Sequence, residues 1–339
     1  MSPRRRPGST GYGLTRRGTA SGLVLVAVLL VAAVFAFLYA GPGPSAAQGN
    51  STTVIIARSN IPGIARRLKR AGVIHSETVF MVMAKLTGGP SLKAGEYAIG
   101  SRESVAGIIS DMKAGRVVRH FITIPEGWTS QMAADAVNAS PVLTGVAPVP
   151  PEGSLLPETY EVRRGDNRAQ VIARMKAGQD ALIDRLWPQR RPDLPLASPA
   201  DAITLASIVE KETAVPAERP RIAAVFENRL KAGMRLESDP TVIYGISKGV
   251  PLGRGLTVSE LAQPTPYNTY KIVGLPPTPI ANPGKAAIEA VLNPPVSTEL
   301  YFVANGAGGH AFATAFADHQ KNVAHWRDLE RQRAAGAIK

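Results

Sequence analysis

Residues 22–40, GLVLVAVLLVAAVFAFLYA, are 19 uncharged and almost wholly apolar residues in a row. At a rise of about 1.5 Å per residue, a helix of that length spans the roughly 30 Å hydrocarbon layer of a bilayer. The run has no polar face to turn toward water, so it predicts a single transmembrane helix. Arg4, Arg5, Arg6, Arg16 and Arg17 precede it with no acid among them, and the Gly-Pro-rich GPGPSAAQGN follows it. The excess of positive charge on that side keeps the N-terminus in the cytoplasm and exports everything from residue 42 onward. SAA at 45–47 loosely resembles a signal-peptidase site, but the apolar run is longer than a usual signal-peptide core, which favours a retained anchor. Tyr39 sits where an interfacial aromatic belongs.

The net charge is +13, of which five charges lie in the arginine tail and about +8 elsewhere. A basic exported surface suits anionic headgroups or an acidic wall polymer, and export disfavours nucleic acid as a partner. The absence of cysteine excludes disulfides and thiolate metal sites. His75, His120, His310, His319 and His325 form no H-E-x-x-H pattern, and the six-residue step from His319 to His325 does not share a helix face. No metal and no cofactor is therefore expected.

After a linker at 42–52, TVIIA at 53–57 reads as a strand, and IARRLKRAGV at 64–73 has helical spacing ended by Gly72. A related strand, Pro-x-Gly turn and helix returns in RHFITIPEGWTSQMAADAV at 119–137, with LKAGEYAI and SVAGIISDMKAG between the copies supplying a further strand and helix. This half-repeat resembles a LysM-like wall-binding module, although the first copy lacks the Pro-x-Gly turn; a purely structural α+β spacer is the other reading. From about 151 the texture changes. A helix near 167–186 is followed by the Pro-rich WPQRRPDLPLASP, and Ser198 with Pro199 marks the cap and first position of a helix through ADAITLASIVEKETA. A further helix at about 217–232 stops at Gly233, beyond which loops and strands are predicted, and LYFVA and HAFA at 300–313 form two strands joined by NGAGG. GAGGH at 306–310 leads into a strand rather than a helix, which makes it a hairpin turn and not a phosphate cradle.

On a helical wheel Glu210 falls between Ala206 and Ile203, and Glu212 lies nearly opposite, between Ile208 and Leu205. Two readings stay open. A carboxyl group in an apolar sector is disfavoured as an anion and can stay protonated, as a general acid must. Alternatively, each glutamate is the buried partner of an arginine such as Arg219 or Arg229.

LASIVEKET at 205–213, NRLKAGMRLESDPTVIYG at 228–245, PTPYNTY at 264–270, GLPPTPIANPG at 274–284 and LYFVANGAGGHAFA at 300–313 resemble, in order, the blocks of the YceG-like endolytic murein transglycosylase family. One departure is LLPETY at 155–160, where Glu158 stands in place of the more usual Asp. The resemblance implies a mixed α+β protein: a cytoplasmic basic tail (1–21), a transmembrane helix (22–41), the linker (42–52), a LysM-like region (53–150), a catalytic domain (151–330) and a C-terminal tail (331–339). It implies Glu210 as the catalytic acid, with Asp239, Tyr267, Asn268 and Tyr270 as candidates to line the substrate groove. It also implies an enzyme in the inner membrane, with its catalytic part in the periplasm, that cuts nascent peptidoglycan strands and leaves a 1,6-anhydro-N-acetylmuramic acid end, ending strand elongation alongside peptidoglycan synthases. The rival class is a non-catalytic, membrane-anchored scaffold that binds the same polymer.

Overall fold

The computed structural model describes residues 16–87 and 91–335 of the chain. Arg4, Arg5 and Arg6 of the basic tail and the last four residues of the C-terminal tail lie outside the described residues. The chain is mixed α+β and divides into two compact units, residues 1–119 and 120–339.

The first unit opens with helix α1 (Arg16–Ala40), whose segment Ser21–Ala40 has a mean hydropathy of 3.0; among the described residues it is the one helix long and apolar enough to cross a membrane. Strand β1 (Ser51–Ile56) pairs antiparallel with β2 (Gly95–Gly100), Ser51 opposite Gly100. Between the two strands run α2 (Ile61–Arg70) and α3 (Glu77–Leu86), and α4 (Val105–Ala114) follows β2. Each helix starts where the sequence offers a side-chain cap: Asn60, Ser76 and Ser104 accept the backbone N–H three residues on. Leu68, Phe80, Ile108 and Ile109 close the core beneath the sheet, and Tyr39 at the end of α1 packs against it.

The second unit begins with β3 (His120–Thr123), which pairs with β4 (Thr159–Val162). With α5 (Ser130–Ala139) and the start of α6 (Arg168–Leu186) this sheet encloses a small core of Ile124, Ala133, Val137, Leu155, Val171 and Met175. The second copy of the half-repeat read from the sequence thus packs with residues 155–175, and the two copies lie in different compact units.

The larger core is built on α7 (Pro199–Glu212), α8 (Arg219–Lys231) and α11 (Lys285–Leu292). Ser198 and Asp201 form a reciprocal capping box with proline in the first turn, so α7 starts where the sequence placed it. Ala202, Leu205, Ala206, Ile208 and Val209 are fully buried, so α7 is a central helix covered on most sides. The stretch after Gly233, read from the sequence as loops and strands, holds α9 (Asp239–Ser247), α10 (Val258–Ala262) and α11, and the chain closes with α12 (Phe316–Ala334). The correction has a simple cause. Asp-Pro starts a turn and a helix equally well, because proline's missing N–H and fixed φ suit the first helical turn. The predicted hairpin is present, β5 (Tyr301–Ala304) against β6 (His310–Ala313), with Gly306 and Gly308 at positive φ in its turn.

Glu227 on α8 is buried, and its Oε1 has no hydrogen-bond partner among the described residues. Burial pushes its carboxyl up to about 8 against the opposing pull of Lys231 and Arg191. Between the usual value of about 4.5 and 8, the native state holds a proton that the unfolded chain lacks. That stabilising share is fully present below about 4.5 and is lost as pH rises through 8. Glu227→Met, which keeps the volume and removes the charge, is expected to raise stability by about 2–4 kcal/mol at pH 9 and by progressively less as pH falls. Urea midpoints of both proteins across pH 5–9 check this, and a gain independent of pH contradicts it.

Candidate active site

Glu210 lies in the last turn of α7, where the helix has left most of the core. Its side chain is only 5% exposed, yet its surroundings are polar. Oε1 accepts from Arg219 Nη2 at 3.1 Å, and Oε2 accepts the backbone N–H of Gly284 at 3.0 Å. The arginine-partner reading therefore describes this glutamate, and the apolar-sector reading does not. Arg219 reaches it because the short turn 213–218 reverses the chain between α7 and α8.

The same guanidinium nitrogen donates to Glu126 Oε2 at 3.3 Å, which brings two carboxylates around one cation. Glu126 sits in the Pro-x-Gly turn at 125–127, which the sequence reading assigned to the wall-binding region. Burial, and then the negative charge of Glu210, push the Glu126 carboxyl up, while Arg219 opposes them.

The turn is fastened to the ANPG segment at 281–284. Gly127 N–H donates to Asn282 O at 3.0 Å, and Asn282 N–H donates to Trp128 O at 2.8 Å. The Asn282 side chain is fully buried and completes the clamp: its amide donates to Trp128 O at 3.0 Å, and its Oδ1 accepts Leu155 N–H at 2.9 Å. A Cβ at position 284 would stand 1.8 Å from Glu126 Oε1, so any side chain there would displace the Glu126 carboxylate from the site. Gly127 has a φ of 75° and lies against Glu210 and Lys211, so a side chain there would be strained by its backbone conformation.

Glu212 points to the other side of α7, as its wheel position predicts, and accepts from Ser238 Oγ. Desolvation raises its carboxyl to about 7, so the effect argued from periodicity acts on this glutamate. Arg229, the other arginine considered as a partner, donates to the carbonyls of Leu236 and Leu300 and pairs with Glu237.

The four groove candidates do not converge. Asp239 accepts from the Tyr270 hydroxyl at 2.8 Å, and both lie on the Glu212 side, where burial and Asp239 raise the tyrosine's pKa. Tyr267 stacks obliquely on Tyr244 at 5.1 Å, with its hydroxyl on Thr278 at 2.8 Å. Asn268 is fully buried; its amide donates to Leu261 O and Gln263 O and its Oδ1 accepts Tyr270 N–H, so it shapes its own loop and presents nothing to a ligand. The sequence reasoning missed Glu126, Gly284 and Asn282. An acid inside a Pro-x-Gly turn and the ANPG run were the available signals, but nothing in one dimension ties them to α7.

A cavity of about 310 Å³ opens next to this site, lined by Gly127, Lys211, Ile243, Tyr244, Leu252 and Ile280 among others. Among the described residues no cluster of three or more His, Cys, Asp or Glu side chains is arranged to hold a metal.

Residues 54–325 match the model of a family described as YceG-like. A protein of Bacillus subtilis strain 168 named endolytic murein transglycosylase is 30% identical, covering 81% of this chain and 85% of its own. One of the same name from Streptococcus pneumoniae serotype 2 is also 30% identical, covering 90% of this chain but 64% of its own, so the chain spans a little under two thirds of the pneumococcal relative. A 2.6 Å crystal structure of a YceG-like protein from Listeria monocytogenes shares the fold with a TM-score of 0.50 and 32% identity, covering 81% of this chain and 99% of that one.

Proposed function

This chain belongs to the YceG-like family, and from that premise we propose that it is a lytic murein transglycosylase that cuts within glycan strands, with Glu210 as its acid. The observation that carries the reading is the placement of Glu210, nearly buried at the end of the central helix and sharing Arg219 with a second carboxylate. One guanidinium faces two carboxylates, and burial and the neighbouring Glu210 charge hold the Glu126 carboxyl above its ordinary value beside the acid. Glu210 passes a proton to the glycosidic oxygen as the bond to C1 of N-acetylmuramic acid breaks. The C6 hydroxyl of the same sugar attacks C1, closes the 1,6-anhydro ring and returns its proton to the Glu210 carboxylate. Proton and bond counts balance without water, so no second carboxylate is needed to activate a hydrolytic nucleophile. Gly284 N–H and Arg219 hold the carboxylate in place while its charge alternates.

The apolar helix serves in this reading as a retained inner-membrane anchor, with the second unit on the periplasmic side. Its length, its hydropathy and the arginines before it support that assignment. The first unit acts as a LysM-like wall-binding module, supported by its compact two-stranded sheet with packed helices. Holding the acid near the bilayer gives it early access to strands leaving a synthase, which suits a role in ending their elongation.

Product analysis tests the chemistry. Cleavage of purified strands is expected to give ends in 1,6-anhydro-N-acetylmuramic acid, lacking one water relative to hydrolysed ends by mass spectrometry. Ordinary reducing ends would make the enzyme a hydrolase, and no cleavage at all would leave the scaffold reading.

A further inference from the structure

The cavity beside the acid pair has no role in the steps above, and its chemistry is unlike that of a sugar-binding groove. Ile243, Tyr244, Leu252 and Ile280 give it apolar walls. Lys211 lines its edge, and its amine makes a long 3.4 Å hydrogen bond to the Gly127 carbonyl. Lys248, next to the lining residue Gly249, holds its amine 4.8 Å from the Tyr267 ring and 5.4 Å from that of Tyr244. Neither lysine has a carboxylate within ion-pair distance among the described residues. An apolar pocket with Lys211 in its lining and the Lys248 amine over the adjoining tyrosine rings fits a ligand with small apolar groups and an acidic end. The volume of about 310 Å³ corresponds to roughly ten waters, which is space for a dipeptide-sized group.

The cavity is also adjacent to the chemistry. Lys211 follows Glu210 in the chain, Gly127 follows Glu126, and a Cβ on Gly127 would lie 3.6 Å from Glu210 Cγ. This adjacency suits an occupant attached at, or next to, the sugar being cleaved. Building on the transglycosylase reading, we propose that this cavity receives the first residues of the acidic stem peptide carried by muramic acid. The lactyl and alanyl methyl groups meet the apolar walls, and the carboxylate of the following acidic residue meets Lys211 and Lys248. The pocket makes the enzyme selective for strands that still carry peptides over strands stripped of them.

The test uses the full chain and two variants at the far rim, Leu252→Trp, which fills the pocket, and Lys248→Glu, which reverses a charge. Initial cleavage rates are compared on peptide-bearing strands and on the same strands after an amidase has removed the peptides. Wild type is expected to favour peptide-bearing strands about tenfold or more, the effect of one charge-assisted contact, and the ratio is expected to fall toward one in both variants. Binding of soluble N-acetylmuramoyl-L-alanyl-D-glutamate is measured by calorimetry on the Glu210→Gln background, with N-acetylmuramic acid as the comparison. About tenfold weaker dipeptide binding in both rim variants supports the proposal. Equal cleavage of both strand types by wild type, with dipeptide binding unchanged by the rim variants, overturns it while leaving the transglycosylase reading intact. If no strand is cleaved, the transglycosylase reading fails and the calorimetry alone decides whether the cavity takes an acidic peptide.

Discussion

Glu210→Gln is expected to lower the cleavage rate by a factor on the order of 10² to 10⁴, the usual contribution of a general acid, while the protein stays folded. Glutamine keeps the size of the side chain and still accepts the Gly284 N–H, but it cannot release a proton to a leaving oxygen. Arg219 retains Glu126 as a partner, so no cation is left buried and unpaired. Rates on purified strands, with circular dichroism and a melting curve for the variant, decide the matter. Wild-type activity in a folded Glu210→Gln protein removes the proposed mechanism. Glu212→Gln serves as the comparison, since its side chain faces Ser238 across the helix and a change there should cost much less activity.

The second large effect is expected from shortening the chain at two neighbouring points. A chain beginning at His120 retains the whole second compact unit and is expected to cleave soluble strands, although it has lost the anchor and the candidate wall-binding unit. A chain beginning at 151, the boundary suggested by the change of sequence texture, is expected to lose at least about a hundredfold in rate. It lacks β3, the pairing partner of β4, together with Ile124, Ala133 and Val137 of the smaller core. Removing several buried apolar side chains at about 1.5–3 kcal/mol each exceeds the stability margin of an ordinary domain. It also lacks Glu126 and the Gly127–Trp128 backbone that Asn282 grips. Strand-cleavage assays with thermal melts of both proteins check this. Full activity from the chain beginning at 151 would mean that the Pro-x-Gly turn has no part in the site.

The contrast between those two starting points shows how far one dimension reaches. Local physics fixed the elements whose signals lie within a few residues. The apolar run gave a membrane-length helix, Ser198 and Pro199 gave the start of α7, Gly233 the end of α8, and NGAGG the hairpin turn. The periodicity of LASIVEKET correctly set Glu210 and Glu212 on opposite sides of one helix, because the 100° step per residue is a property of the helix itself. What surrounds each side is a property of its neighbours. Arg219 is nine residues from Glu210, Gly284 is 74 away, and Glu126 meets the same arginine from 93 residues upstream. Glu210 therefore came out buried but polar and paired, and of the two apolar-sector glutamates it is Glu212 whose carboxyl desolvation raises. Asn268 and Asn282 look alike as sequence, each an amide in a Pro-rich block. Only the folded chain turned the first into an internal brace of its own loop and the second into the clamp that holds a distant acid beside the catalytic candidate. Spacing determines which way a side chain leaves its helix, whereas long-range packing determines what it finds there, and the chemistry of a carboxylate depends on the second.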